Sequence, residues 1–227
     1  MIVITGASRG IGHFLMQKLI NEGLDVIGIY NNTIPEENHE LMYKVDVSDA
    51  ENVKSFVSAN GGILKRISLI NCAGSNYNAY AHKADPLKWA QLISINLIGT
   101  FNIINALLPI MREESFGRII NFSSVVAQNG IPGTSAYAAS KAGLWGMTKA
   151  IAVENASKGI TINNLNLGYF NIGMINEVPQ EIKEVIKSKI AIGHQFGDPN
   201  NIFEAIKFII KAPYLTGTSI DINGGII

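Results

Sequence analysis

Cysteine is nearly missing from this 227-residue chain: the single Cys72 excludes an internal disulfide and any cysteine-rich zinc site. The glycosylation pattern at Asn31-Asn32-Thr33 is therefore read as chance. Charge is scarce as well, at 16% of residues, and eighteen basic side chains cancel eighteen acidic ones. That balance gives neither nucleic acid nor an anionic membrane a reason to bind. The histidines His13, His39, His82 and His194 show no ligand spacing, so no metal is expected. No apolar run is expected to reach membrane-spanning length, and the chain opens on a strand without a cleavable signal pattern. A soluble cytoplasmic protein is the expectation. No proline- or glycine-rich linker, repeat or low-complexity tract divides the chain.

What is present is apolar: 47% of residues, enough for a substantial core in one domain spanning 1–227. Apolar runs at 2–5, 25–30, 42–47, 67–71, 118–122, 161–167 and 219–222 read as strands. Helical patterns lie between them. One passes through Phe14, Leu15, Leu19 and Ile20 and stops near Gly23, and a second begins at the Asp49 cap. A third runs for about 25 residues after Asp85-Pro86, where a cap precedes proline at the first helical position. Others cover Ser135 to about Asn155, 179–190 and 200–210, and 31–40 reads as a polar loop. Strand and helix alternate throughout. That predicts an α/β fold, a single doubly wound Rossmann-type domain whose parallel sheet of about seven strands carries helices on both faces.

In such sheets ligands bind beyond the carboxyl ends of the strands, near the switch in strand order. The first of those ends carries Gly6, Ala7, Ser8, Arg9, Gly10, Ile11 and Gly12, which open a helix. Glycines permit a tight turn and close backbone approach, and the free amides of a helix N-terminus suit a pyrophosphate. The spacing is G-x-x-x-G-x-G rather than G-x-G-x-x-G, and three glycines at this point predict a dinucleotide. The acid that usually reads the ribose should close strand two. Asp25 precedes that strand instead, and the strand ends in Tyr30-Asn31-Asn32, without a carboxylate. Arg9 in the turn could attract a 2′-phosphate, so NADP(H) is favoured over NAD(H). In the NAD(H) alternative, Asn31 and Asn32 bind the ribose hydroxyls.

A second constellation lies at 121–143. Tyr137 and Lys141 are four residues apart on the predicted helix and so share a face. A phenol titrates near 10 and is a poor acid–base catalyst at neutral pH, but a fixed ammonium beside it stabilises phenolate. A hydroxyl from Ser124, at the end of the preceding strand, could bind an oxygen on which charge develops. Taken alone, the same residues could be surface neighbours and a strand end.

Read in order, TGASRGIG at 5–12, Asp46-Val47, NCAG at 71–74, Asn96 in NLIGT, Ser124, YAASK at 137–141 and TGTSIDINGG at 216–225 make a specific set. Through them the chain closely resembles the short-chain dehydrogenase/reductase family in its compact form, over essentially its whole length. The resemblance implies a role for each matching position. Tyr137 would be the acid–base catalyst, and Ser124 rather than Ser123, by the family's spacing, would orient the substrate oxygen. Lys141 would hold the nicotinamide ribose and lower the pKa of Tyr137, and Asn96 would anchor a water in the proton relay. Asp46 would meet the adenine, Val47 would line its pocket, and Asn71, Cys72, Ala73 and Gly74 would run along the adenosine. Gly168 and Phe170, after strand six, would contact the cofactor. Three positions depart from the family's pattern: Cys72 replaces the second Asn of N-N-A-G, Leu167 replaces proline before Gly168, and Ile172 stands where a threonine meets the carboxamide. Asn171 or a backbone group could substitute there.

The implied activity is hydride transfer between NADP(H) and a carbonyl or secondary alcohol, with 3-oxoacyl-acyl-carrier-protein reduction the leading role and a thioester-linked substrate. Reduction of a sugar, polyol or other small ketone is the rival. A non-catalytic dinucleotide-binding sensor or scaffold is the alternative from a different class. Residues 170–192 are expected to form a substrate lid, with Ile172, Ile175, Val178, Ile182, Val185 and Ile186 as an apolar wall or as packing. Trp145 and Met147 are read as helix packing. Ala138, Ala142, Gly143 and Gly146 could permit close helix approach across a subunit boundary, and the resemblance implies a homo-oligomer, a dimer or homotetramer.

Overall fold

The computed structural model describes residues 1–34 and 37–226. Seven parallel strands form one sheet in the order β3-β2-β1-β4-β5-β6-β7. They are β1 (Ile2–Thr5), β2 (Val26–Tyr30), β3 (Met42–Lys44), β4 (Ser68–Asn71), β5 (Gly117–Ser124), β6 (Ile160–Leu167) and β7 (Ser219–Ile222). The reversal of order lies between β1 and β4, so the carboxyl ends of those strands border the crevice. Helices cover both faces: α1 (Gly10–Asn21), α2 (Ala50–Asn60), α3 (Pro86–Ile93), α4 (Gly99–Glu113), α5 (Val126–Asn129), α6 (Ser135–Asn155), α7 (Gln180–Ser188) and α8 (Pro199–Lys211).

The apolar runs follow from this layering, because successive strand residues point to opposite faces and both faces are buried. Val3, Leu69, Ile119 and Ile162 enter one core with α2, α4 and α6. Ile4, Ile70, Ile120 and Leu165 enter the other with α1 and α8. Asp49, Asp85 and Asp198 each accept hydrogen bonds from the first turn of the helix they precede, as N-caps.

Several boundaries differ from the sequence reading. Strand β3 stops at Lys44 rather than Val47, because the Asp46 carboxylate bonds the amide and hydroxyl of Ser48 and turns the chain. Strand β5 runs through both serines. The helix after Asp85 spans Pro86–Glu113, with a π-helical turn at Ser94–Ile98. By length and composition that helix is apolar enough to cross a membrane, which corrects the expectation of no such segment. Polar breaks such as Asn96 and Asn102 hide it from a search for an unbroken run; here it packs beside α2 and α6. Helix α5 has no signal in the sequence reading. Of the loop expected over 31–40, residues 35 and 36 lie outside those described.

Candidate active site

The crevice between β1 and β4 is floored by main chain. The Ala73 amide donates to the Thr5 hydroxyl at 3.0 Å, closing the two strand ends together. Gly6 has φ +67°, and a Cβ there would lie 2.8 Å from the Ala73 backbone. A Cβ on Gly12 would overlap the carbonyl oxygen of Gly6, and one on Gly10 would come within 3.3 Å of Gly173. The Ala7 amide is used by the Ile29 carbonyl at 3.0 Å. The amides of Gly10, Ile11 and Gly12 open α1, with no acidic residue in the first turn and no hydrogen bond from a side-chain cap. This turn, whose close backbone packing at Gly6 and Gly12 leaves no room for a Cβ, opens onto helix amides that fit the pyrophosphate of a dinucleotide.

Around it, Arg9 is exposed, 3.5 Å from the Glu177 carboxylate in the short helical segment Gly173–Glu177. Ser8 is half-buried in the turn, and Asn31 is half-buried just past β2. Asp46 uses its carboxylate on Ser48, while Val47 packs beneath Gly99 and accepts from the Asn102 amide at 2.9 Å. Asn71 donates to the Asn121 side chain at 2.9 Å. Burial raises the pKa of the Cys72 thiol far above its ordinary value, so this cysteine is an apolar filler beside Lys141. Gly168 approaches Asn223 too closely for any side chain, and buried Phe170 seats against Gly197.

The other wall is built from side chains. Asn96 is fully buried in the π-helical turn. Its carbonyl oxygen accepts from the Ser75 amide at 2.8 Å, and its amide donates to the Ser75 carbonyl at 3.0 Å and to the Ser140 hydroxyl at 3.2 Å. A π-bulge of this kind is frequent at functional sites. A Cβ on Gly74 would sit 3.4 Å from Asn96 Oδ1 and 3.8 Å from Lys141 Nζ, so those three groups converge.

Tyr137 and Lys141 share one face of α6, with Nζ 5.6 Å from the centre of the phenol ring. Lys141 is only 6% exposed and donates to the Phe122 carbonyl at 2.7 Å; burial holds its pKa down at about 8. The Tyr137 phenol is pushed up to about 12, chiefly by burial, with neighbouring Tyr169 adding to the rise and the Ser124 hydroxyl opposing it. Burial is the largest influence on the phenol in this arrangement, larger than any lowering by the ammonium one turn away. Tyr137 as a whole is half-buried, with Ser124 and Tyr169 the side chains that act on its hydroxyl.

Of the expected lid wall, Ile175 is buried and Ile186 half-buried, but Ile182 and Val185 are 52% and 56% exposed. Ile172 turns into the core beside α1 and α8. Beside α7 lies a polar cavity of about 340 Å³, with Asn171, Asn176, Gln180, Lys183 and Lys187 among its walls. Sequence reading missed Ser75, Ser140 and Tyr169. Ser140 carried a weak signal, being one turn from Tyr137; Ser75 and Tyr169 carried none. Trp145 is more than packing: its indole N–H donates to Ser123 and Asn166. No group of three or more potential metal ligands is present among the described residues.

Comparison with known proteins points the same way. Residues 1–183 match the family model described as short chain dehydrogenase. The chain is 35% identical to an acetoacetyl-CoA reductase of Rhizobium meliloti over 98% of its own length and 96% of the relative's. It is 34% identical to a 3-oxoacyl-[acyl-carrier-protein] reductase of Staphylococcus aureus, again covering 98% and 96% of the two chains. The solved structure of a 3-oxoacyl-[acyl-carrier protein] reductase from Brucella melitensis superposes with a TM-score of 0.90 at 27% identity, covering 99% and 90%.

Proposed function

The chain belongs to the short-chain dehydrogenase/reductase family of NAD(P)-dependent oxidoreductases, and from that premise we propose that it reduces a thioester-linked 3-oxoacyl group with NADPH in the cytoplasm. The observation that carries the reading is the convergence of Ser124, Tyr137, Lys141 and Asn96 beside a glycine-floored crevice. When bound, the nicotinamide supplies the hydride. The Ser124 hydroxyl binds the substrate's carbonyl oxygen, and Tyr137 gives that oxygen its proton. A phenol pushed up to about 12 is protonated at neutral pH, the form reduction requires. Lys141, with its pKa near 8, is mainly an ammonium at neutral pH, the form that would hold a ribose hydroxyl of the cofactor. Asn96 braces the 73–75 segment through Ser75 and holds the start of the proton path in place.

The thioester assignment is supported by the names of the relatives and by the polar, lysine-bearing cavity beside α7. NADPH is supported by Arg9 and by the missing carboxylate at the end of β2. A homo-oligomer joined through the helix Pro86–Glu113 and α6 is supported by the exposed apolar side chains there, Leu87, Phe101 and Val153 among them. The test is a panel of 3-oxoacyl thioesters, sugars and simple ketones with NADPH and NADH, and of polyols with NADP+ and NAD+. Acetoacetyl thioesters with NADPH are expected to give the highest kcat/KM; a neutral ketone or sugar preferred over all thioesters would overturn the substrate, and NADH preferred would overturn the cofactor.

A further inference from the structure

Ser123 and Trp145 take no part in the chemistry just described, yet they are bonded to it in a fixed direction. The Trp145 indole N–H donates to Ser123 Oγ at 2.9 Å. An indole nitrogen can only donate, so the serine's own proton is free for another acceptor. It goes to the Lys141 carbonyl, 3.0 Å away. In the helical ladder that same carbonyl faces the main-chain amide of residue 145. One residue, Trp145, thus closes on the Lys141 carbonyl twice, through its backbone and through Ser123.

The chain of bonds continues outward. Trp145 also donates to Asn166 Oδ1 at 3.1 Å, Asn166 donates to the Asp221 carboxylate at 2.6 Å, and Gln128 donates to the same carboxylate at 3.1 Å. Ser123 and Asn166 are buried, whereas Asp221 lies on the exposed edge strand β7. At the inner end, three consecutive residues of β5 each hold one part of the catalytic turn. The Phe122 carbonyl takes the Lys141 ammonium, the Ser123 hydroxyl takes the Lys141 carbonyl, and Ser124 faces the Tyr137 hydroxyl.

We propose that Trp145 is a positioning residue, which acts through Ser123 to fix the turn of α6 that presents Lys141 and Tyr137 to the cofactor and substrate. The inference rests on the reductase reading above. A hydrogen-bonded serine whose direction is set by an indole cannot rotate away from the Lys141 carbonyl, so the turn is held against the strand that supplies Ser124.

Trp145→Phe removes the N–H and keeps an aromatic ring; Ser123→Ala removes the relay, and Ser123→Thr restores the hydroxyl. Turnover, KM and NADPH affinity are measured at 25 °C, well below the melting temperature of each variant, on whichever carbonyl the wild type reduces. A failed substrate assignment then shows in the wild type and leaves the comparison of variants intact. Trp145→Phe and Ser123→Ala should each lower kcat about three- to tenfold, the worth of one hydrogen bond, with KM nearly unchanged. The double variant should be no slower than the slower single one, and Ser123→Thr should recover at least half of wild-type kcat. Wild-type kcat in both single variants with only a lower melting temperature, or effects that multiply in the double variant, would overturn the proposal.

Discussion

The two walls of the crevice are made in opposite ways. The β1–β4 wall works by the absence of side chains: Gly6, Gly10 and Gly12 leave backbone amides bare, and Ala73 closes the floor through its amide. The β5–α6 wall works by side chains holding one another: Asn96 on Ser75 and Ser140, Lys141 on Phe122, Trp145 on Ser123. Adding atoms should break the first wall, and removing atoms should break the second. That difference separates cofactor binding from chemistry, and substitutions can be aimed at either.

The largest effect is expected on the glycine wall. Gly12→Val places branched atoms where even a Cβ overlaps the Gly6 carbonyl, so calorimetric titration should find no NADPH binding up to millimolar concentrations. A variant that binds normally would show that the turn has room and that the cradle is misread. Next comes Lys141→Met on the other wall. Turnover should fall about 100-fold, within the usual range for disabling a general acid, because the ammonium that would hold the ribose beside the Tyr137 phenol is gone. NADPH affinity should fall with it, since the ribose loses its ammonium. If turnover alone falls, the lysine does not reach the cofactor.

A smaller effect is expected at the rim. Arg9→Ala should weaken NADPH about ten- to a hundredfold, the worth of a partly exposed charge-assisted contact of roughly 1.5–3 kcal/mol, and leave NADH unchanged. Arg9 already lies 3.5 Å from Glu177, so Glu177→Gln should tighten NADPH severalfold by freeing the guanidinium. Equal loss of both cofactors in Arg9→Ala would mean that the arginine only shapes the turn.

The smallest effect is on stability. Burial lowers the Lys141 pKa from 10.5 to about 8, so between those values the unfolded chain holds more protons than the folded one. Stability contributed at this site therefore rises with pH across that window, by up to about 3 kcal/mol. Tyr137, raised from 10.0 to about 12, acts with the opposite sign and lowers stability between those values. Melting temperatures from pH 7.5 to 9.5 should therefore climb more steeply for wild type than for Lys141→Met. Parallel curves would show that the lysine is better solvated than its 6% exposure implies.

The same contrast explains what could be read from the sequence. The glycine wall is local, since its residues lie within one turn of chain, and its spacing announces both the turn and the ligand class. The sheet was legible because both faces are buried, which makes each strand an apolar run, and α6 was placed at Ser135–Asn155 from propensity alone. The side-chain wall was legible only where two residues share a helix face, as Tyr137 and Lys141 do. Partners brought together by the sheet register left no local mark: Ser75 lies 21 residues from Asn96, and Trp145 lies 21 from Asn166. Nor does sequence register desolvation, which moves the Tyr137 phenol upward despite the lysine one turn away. The polar residues of β6 are a further example. Asn164 and Asn166 look wrong for a buried strand until Thr148, Ser219, Trp145 and Asp221 are seen to satisfy them.

Tyr137→Phe tests the division between the two walls most directly, because it deletes one hydroxyl from the chemical wall and touches nothing on the other. NADPH is titrated into the variant by fluorescence, and reduction of an acetoacetyl thioester is followed in the same preparation. The prediction is an NADPH affinity within twofold of wild type and a turnover lower by at least about 100-fold. Turnover near the wild-type value, or a turnover loss matched by an equal loss of NADPH affinity, would contradict it.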